Sequence, residues 1–158
     1  MKRCFWVNLN NKLYVDYHDL EWGVPKYDDH ELYELLILDN FDYERIVNYD
    51  EDKINELMNN SGIIRNRRKI EATINNTKVF LAIQKEYGSF ANFIWSFTNN
   101  EVLYIDSKIT HNELSDKISN ILKKKGMTFV GTTIIYSYLQ AIGVINSHGC
   151  VCFKYGKN

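Results

Sequence analysis

The chain has 158 residues, of which 45% are hydrophobic, and this is enough to bury one substantial core, so we expect a single domain over residues 1–158. The formal net charge of −1 does not by itself indicate a nucleic-acid partner. The charge is unevenly distributed, however: residues 1–60 hold 6 Lys+Arg against 14 Asp+Glu, and residues 61–158 hold 13 against 6. This asymmetry indicates either a basic face formed by the second part of the chain or two solvated faces of opposite charge. No apolar run approaches the ~20 residues of a membrane span and no apolar segment follows the first basic residues, so we expect a cytoplasmic protein with reduced cysteines.

Two amphipathic helices are predicted in the first part of the chain. Asp28, followed three residues later by Glu31, is a capping-box pattern at the start of the first helix. Asp50 can cap the second helix. The apolar positions that these helices turn inward are Leu32, Leu35, Leu36, Ile54, Leu57 and Met58.

A long third helix and a short aromatic helix are predicted next. The third helix has apolar residues repeating at intervals of 7, 4 and 7 from Ile63 to Leu81, and Gly88 lies where it should end. Residues 90–97 then form a compact helix that is rich in phenylalanine.

Two further helices are predicted in the last third of the chain. Thr110 and Glu113 form a second capping-box pattern, and Gly126 is the natural end of the helix that follows. Residues 132–143 are apolar on nearly every side, as in a central helix, and Gly143 ends them. Residues 101–106 could be extended but have no evident partner, so the predicted fold is an all-α, compact helical bundle.

Metal-ligand residue types lie near both ends of the chain. Cys4 and His18 are near one end, and His148 and Cys152, with three residues between them, are near the other. A Cys₂His₂ set suits tetrahedral Zn²⁺ and leaves no open position for water, which favours a structural metal over a hydrolytic one. The alternative is two buried cysteines and two ordinary histidines, and Cys150 competes with Cys152 as a ligand.

Several stretches resemble the 3-methyladenine DNA glycosylase I family. The resemblance rests on RCFWV (residues 3–7), YHDLEWGVP (17–25), GIIRNRRKI (62–70), FIWSF (93–97) and FVGTTIIYSYLQAIGVINSH (129–148). It implies an all-helical member of the helix-hairpin-helix glycosylase superfamily that binds double-stranded DNA carrying alkylated bases, with its structural zinc on Cys4, His18, His148 and Cys152. The implied reaction is hydrolysis of the N-glycosidic bond of 3-methyladenine, which leaves an abasic site in DNA repair.

The resemblance also implies a base pocket formed by Trp6, Tyr17 and Trp22. N3-methylation makes adenine cationic, aromatic faces attract a cation, and a damaged base is extruded from the duplex at a lower cost. The commoner fate of such aromatic residues is core packing.

The sequence NNSGIIRNRRKI resembles the hairpin of the family. The glycine turn and the helix that follows would contact the DNA backbone, and the residues implied are Gly62, Arg65, Arg67 and Lys69. The alternative is a solvated helix face.

The chain departs from the family after residue 39, with the discontinuity near 39–41. A stretch that would hold a stacking tryptophan and the residue that fills the gap left by the flipped base is missing, and Asp39 falls at or beside the pocket glutamate of the family. The loss leaves a second hypothesis open, namely a catalytically impaired, zinc-stapled protein that binds DNA or damaged bases. We expect a monomer, with self-association through Leu35, Leu36 and Ile37 if the gap exposes them.

Overall fold

The computed structural model describes residues 1–37, 42–105 and 109–156. Within these ranges the α-helices are α1 (Lys12–Asp16), α2 (Asp29–Ile37), α3 (Tyr43–Ile46), α4 (Glu51–Asn59), α5 (Arg67–Tyr87), α6 (Phe90–Trp95), α7 (Glu113–Lys124) and α8 (Thr132–Ala141). A π-helical turn spans Tyr17–Glu21, a 3₁₀ turn spans Ser96–Thr98, and the two short strands are β1 (Leu103–Tyr104) and β2 (Ile145–Asn146). The predicted predominantly helical fold is confirmed. None of the helices in the described ranges is long and apolar enough to cross a membrane.

The first two predicted helix starts are confirmed by their caps. Asp28 Oδ1 accepts the backbone N–H of Glu31 at 3.2 Å at the start of α2, and Asp50 Oδ1 accepts that of Lys53 at 3.0 Å at the start of α4. The carboxylate of Glu31 lies 3.7 Å from the Lys26 ammonium and, among the described residues, makes no bond to the backbone of Asp28, so only half of the predicted capping box forms.

The long helix α5 begins later than its apolar repeat predicts. It starts at Arg67, because the side chain of Asn66 accepts the backbone N–H of Lys69 at 3.2 Å and so caps the helix there. Ile63 therefore lies in the loop that precedes α5, and the prediction of a helix from Ile63 is wrong. The predicted end is confirmed, since Gly88 follows Tyr87 with a φ of +82°.

The capping box of α7 is formed by different residues from those predicted. Asn112 and Ser115 exchange side chain–backbone hydrogen bonds of 2.9 Å in both directions, whereas the sequence pattern assigned the box to Thr110 and Glu113. Gly126 follows this helix with a φ of +100° and ends it as predicted.

Helix α8 is less enclosed than its sequence suggests. Its buried residues are Ile135, Tyr136, Tyr138 and Leu139. Ile134, however, is 52% exposed, so one side of the helix faces outward even though it is apolar. The position of a helix between its neighbours, rather than its composition, decides which sides are covered.

The main core lies where α5, α6, α7 and α8 meet α2. Its largest fully buried side chains include Tyr33, Phe80, Phe90 and Trp95. The ring of Phe80 lies 4.8 Å from that of Tyr33 and 4.5 Å from that of Phe90, so α2, α5 and α6 share one aromatic cluster. Leu32 is buried as predicted, and the side chains of Leu35, Leu36 and Ile37 lie outside what the structure describes.

A carboxylate in α2 fixes the start of α6. Asp29 accepts the backbone N–H groups of Phe90 at 2.8 Å and Ala91 at 2.7 Å, and the side-chain amide of Gln84 at 2.6 Å. The two backbone N–H groups would otherwise lack partners at a buried helix start, and with Gln84 of α5 they let Asp29 join three helices through one charge-assisted network.

The strand predicted without a partner does have one. β1 pairs in parallel with β2, and Leu103 aligns with Ile145 and Tyr104 with Asn146. The partner lies far along the chain, beyond two helices, and local patterning carries no information about such a pairing.

Gly143 brings the end of α8 against the chain that leads out of the π-helical turn. It has a φ of +77°, and a Cβ there would lie 2.4 Å from the Pro25 nitrogen and from the Val24 carbonyl carbon. Only glycine fits this approach. It holds residues 24–25 beside α8, and only Gly23 separates these residues from Trp22.

Candidate metal centre and aromatic pocket

The structure brings Cys4, His18, His148 and Cys152 together, with their ligand atoms all within 4.8 Å of one another. The Cys4 Sγ lies 3.4 Å from His148 Nδ1, and Cys152 Sγ lies 3.4 Å from His18 Nε2 and 3.6 Å from His148 Nδ1. Neighbouring ligand atoms of a tetrahedral zinc, with bonds of about 2.0–2.3 Å, lie roughly 3.3–3.8 Å apart. All four side chains are buried, so the group could bind a metal ion away from solvent.

Cys150, the competing ligand, is exposed and does not belong to the group. The backbone N–H of Cys152 bonds to the Gly149 carbonyl at 2.7 Å, and this turn lies on the chain between the two ligands His148 and Cys152. The two ends are also joined directly, because the backbone N–H of Phe153 donates to the Lys2 carbonyl at 2.9 Å.

Each imidazole is oriented by a hydrogen bond from its other nitrogen. His18 Nδ1 lies 2.8 Å from Asp19 Oδ1, which leaves Nε2 facing the cluster. His148 Nε2 lies 3.1 Å from the Trp22 carbonyl oxygen, which leaves Nδ1 facing the cluster. With both outer nitrogens donating, both inner nitrogens carry lone pairs, as metal ligation requires.

The carboxylate behind His18 is itself held by an arginine. Arg3 donates to Asp19 through Nε at 2.8 Å and Nη2 at 2.6 Å. The bond from Arg3, followed by that from His18, lowers the pKa of Asp19 to about 2, so the carboxylate is ionised whenever the protein is folded near neutral pH. Burial lowers the pKa of His148, which favours its neutral form.

The predicted aromatic residues Trp6, Tyr17 and Trp22 line one cavity of about 350 Å³. Their ring centroids lie 6.4 Å (Trp6–Tyr17), 5.4 Å (Trp6–Trp22) and 5.7 Å (Tyr17–Trp22) apart, in tilted and edge-to-face contacts. The volume falls within the range of about 300–1,000 Å³ that is usual for ligand pockets. The three rings therefore form the wall of a cavity rather than a closed core.

Two of these rings carry a polar group. Burial raises the pKa of Tyr17, so its hydroxyl remains a hydrogen-bond donor at neutral pH. The indole N–H of Trp22 is buried and has no partner among the described residues.

The cavity and the metal-ligand cluster share their supports. Tyr17 immediately precedes the ligand His18 within the π-helical turn, where the backbone N–H of Trp22 donates to the Tyr17 carbonyl at 2.8 Å. The ring of Trp6 makes an edge contact of 5.4 Å with that of His18. His148 Nε2 also bonds the carbonyl oxygen of Trp22, which lines the cavity. A shift of the His148 ring would therefore displace the backbone of Trp22 through this one hydrogen bond.

Four further residues line the cavity and were not identified from the sequence. They are Phe5, Ile109, Gln140 and Ser147. One signal could have found Ser147, because it immediately precedes the ligand His148 just as Tyr17 precedes the ligand His18.

Asp39, the residue that falls at the position of the family's pocket carboxylate, lies outside the described residues. Nothing in the described geometry assigns it a role. The wall of the cavity is described without it.

The residues predicted to contact the DNA backbone differ in whether their polar groups already bond other residues of the protein. The N–H of Gly62 donates to the side chain of Asn60 at 2.8 Å. Arg67 bonds Glu71 at 2.8 Å and is also paired with Glu51. Arg65 and Lys69 are exposed.

Comparisons with known proteins point in one direction. The sequence model of the family described as methyladenine glycosylase matches residues 6–41 and 37–155. DNA-3-methyladenine glycosylase 1 of Escherichia coli (strain K12) is 35% identical over 187 residues, an alignment that covers 99% of this chain and 100% of that protein.

Two solved structures have the same overall fold. A crystal structure of 3-methyladenine DNA glycosylase I is 37% identical, with a TM-score of 0.89, over 96% of this chain and 98% of that one. A second structure, from Staphylococcus aureus, was solved to show how 3-methyladenine is recognised. It is 27% identical, with a TM-score of 0.91, over 100% of this chain and 98% of that one.

The comparisons also locate the internal difference. The alignment with the E. coli protein runs over 187 positions although this chain has 158 residues, so at least 29 positions of that protein have no counterpart here. The two segments matched by the family model meet at residues 37–41. The missing stretch therefore belongs immediately after α2, where the sequence departs from the family pattern.

Proposed function

Because the chain belongs to the methyladenine glycosylase family, we propose that it excises 3-methyladenine from alkylated DNA during base-excision repair. The reaction is hydrolysis of the N-glycosidic bond between the base and deoxyribose, which leaves an abasic site. The observation that carries this proposal is a cavity of about 350 Å³ walled by Trp6, Tyr17 and Trp22 in a chain with this family match. One glycosylase domain over residues 1–158, of which the family model matches residues 6–41 and 37–155, carries the activity.

The cavity suits a flat, positively charged base. N3-methylation places a positive charge on adenine and makes the base a better leaving group. A cation over an aromatic face gains up to ~2 kcal/mol when it is desolvated. Trp6, Tyr17 and Trp22 present faces and edges to one space, so they can hold the extruded base while water replaces it on the sugar.

The described wall of the cavity contains no lysine. An amine there could attack the sugar and form a Schiff base, which would lead on to strand cleavage. The residues that line the described cavity offer no such nucleophile, so the protein is monofunctional.

The metal that fits the cluster is Zn²⁺, held by Cys4, His18, His148 and Cys152. Three of the separations between ligand atoms are 3.4–3.6 Å, as in a tetrahedral site, and two thiolates with two imidazoles form a ligand set that suits zinc. With four protein ligands the ion has no open position, so it stabilises the fold and takes no part in hydrolysis.

The exposed basic residues beside α5 supply the affinity for DNA. Arg65 and Lys69 are free to contact phosphates, whereas Arg67 is engaged by two glutamates.

A second helical pair, α7 and α8, fits the helix-hairpin-helix description, because residues 125–131 join the two helices directly and include two glycines. The start of α8, at Gly131, has no side-chain cap from the part of the chain that the structure describes, so its N–H groups are available to a phosphate.

Release of free 3-methyladenine from alkylated double-stranded DNA tests the function. Wild-type protein is expected to release the base without cutting the strand, and Trp6→Ala is expected to slow release by at least about tenfold through loss of a ring contact. Tyr14→Ala is the matched control, since Tyr14 is an exposed aromatic residue of the same segment that does not line the cavity.

Three outcomes would contradict the proposal. Absence of base release at enzyme concentrations equal to those of the damaged bases would exclude the activity. Binding of alkylated DNA without release would assign the chain to the non-enzymatic alternative. Equal loss of activity in Trp6→Ala and Tyr14→Ala would show that the cavity is not the site.

A further inference from the structure

Two polar side chains line the cavity together with the aromatic rings. Gln140 comes from the last turn of α8, and Ser147 follows β2 and precedes His148. They come from different elements, yet the Gln140 side-chain N–H donates to Ser147 Oγ at 2.6 Å. The two residues therefore form one polar unit in an otherwise largely apolar wall.

The direction of this bond determines what the pair offers to a ligand. Since the Gln140 amide group donates to Ser147, the Gln140 carbonyl oxygen remains an acceptor and the Ser147 hydroxyl hydrogen remains a donor. Neither has a further partner among the residues that the structure describes. The pair thus presents one acceptor beside one donor.

This arrangement matches one edge of adenine. Adenine carries an amino group at position 6, a donor, next to a ring nitrogen that accepts, whereas guanine carries oxygen at position 6, an acceptor. Hypoxanthine likewise has oxygen at position 6. An acceptor–donor pair is complementary to the amino edge of adenine and leaves a 6-oxo purine with two acceptors facing each other.

We propose that Gln140 and Ser147 read the amino edge of the base and select 3-methyladenine against methylated 6-oxo purines. The inference rests on the proposed function, because it names the groups that give the same cavity its base specificity. The aromatic rings attract any flat cation and distinguish these bases weakly. A site that leaves buried polar groups unpaired with the wrong ligand discriminates far more strongly than an apolar one.

Ser147 has a second part in this selection, which is to fix the orientation of the Gln140 amide. Without the serine oxygen as an acceptor, the amide can rotate and present N–H to an oxygen at position 6. Loss of either side chain is therefore expected to remove the preference, and a carboxylate at position 140 is expected to keep it, because it still accepts from the amino group.

Calorimetric titration of the full chain with free 3-methyladenine and free 3-methylhypoxanthine tests the proposal. Wild-type protein is expected to bind 3-methyladenine at least about tenfold more tightly. Ser147→Ala and Gln140→Leu are expected to bring the two affinities within about twofold of each other, while Gln140→Glu retains the preference. Ser137→Ala, on an exposed position of α8, is the matched control and is expected to behave as wild type.

The outcomes separate this proposal from the proposed function. Wild-type protein that releases 3-methyladenine from DNA, with a preference that survives in both Ser147→Ala and Gln140→Leu, overturns the inference and leaves the glycosylase activity standing. Wild-type protein that binds the two bases equally, or binds neither, overturns the inference, and only absence of release from DNA overturns the function. Bound metal and melting temperature are measured for each variant, and loss of preference with both unchanged supports the proposal.

Discussion

Replacing Asp19 with asparagine is expected to weaken metal binding without touching a ligand. The Asp19 carboxylate accepts from His18 Nδ1 at 2.8 Å and from Arg3 at 2.8 and 2.6 Å, so its two oxygens serve two donors. An asparagine has one accepting oxygen, and Arg3 competes with His18 for it. The imidazole then loses both the charge behind it and the bond that fixes its tautomer.

The magnitude follows from the bond that is lost. A hydrogen bond to a charged group contributes about 1.5–3 kcal/mol, and the asparagine oxygen restores part of it. The remaining loss of about 1.4 kcal/mol corresponds to a dissociation constant that is about tenfold larger, at the lower end of the range for groups behind a metal ligand.

Competition for Zn²⁺ with a chromophoric chelator at neutral pH measures this constant. Asp16→Asn is the matched control, because Asp16 lies in the same segment and makes an exposed ion pair with Lys12. Its zinc affinity is expected to equal that of wild type. Equal affinities in Asp19→Asn and wild type, or no uptake of zinc by wild type, would refute the reasoning.

Four other outcomes are expected. Removal of the metal by a strong chelator should lower both the melting temperature and the affinity for free 3-methyladenine. A stable apo-protein with full affinity for the base would show that the metal-ligand cluster does not support the cavity. Gly143→Ala should lower the free energy of unfolding by more than about 2 kcal/mol in denaturant unfolding, because the new Cβ would lie 2.4 Å from backbone atoms. Gly131→Ala is the control: the space around Gly131 is open, so this variant should change the free energy of unfolding by less than about 1 kcal/mol. Asp29→Ala should lower the free energy of unfolding by about 2–4 kcal/mol in the same assay, because three hydrogen bonds are lost and two of them are at the start of α6. An unchanged denaturation midpoint would exclude this role. Lys69→Ala should reduce the salt dependence of DNA binding by about one phosphate contact. Arg67→Ala should reduce it less, because the Arg67 side chain is already paired with two glutamates. A larger effect of Arg67→Ala than of Lys69→Ala would show that Lys69 is not the phosphate contact.

Local chemistry made several features of the fold predictable from the sequence. Caps such as Asp50 act within one turn of the helix that they start, and glycines such as Gly88 and Gly126 end helices through their own backbone conformation. Where two local signals compete, the sequence does not determine at which residue the helix begins. At the start of α7 both Thr110 and Asn112 can cap, and packing around Ser115 decided in favour of the second.

The site was predictable where its chemistry is unusual and hidden where its chemistry is common. Cysteine and histidine near both ends suggested a metal, and the structure brings those four residues together. Gln140 carried no such signal, because it lies in a helix whose apolar sequence does not reveal which side stays open. Its meeting with Ser147 depends on how α8 and β2 are placed in three dimensions, as does the pairing of β2 with β1.

The joining of residues 4 and 18 to residues 148 and 152 has a consequence for the protein as it is made. A ribosome delivers Trp6, Tyr17 and Trp22 before His148 and Cys152. Until Cys152 has emerged, the growing polypeptide has neither a complete cluster nor the His148 bond that positions Trp22. We therefore expect the wall of the cavity to become ordered only after residues 148–152 have been synthesised.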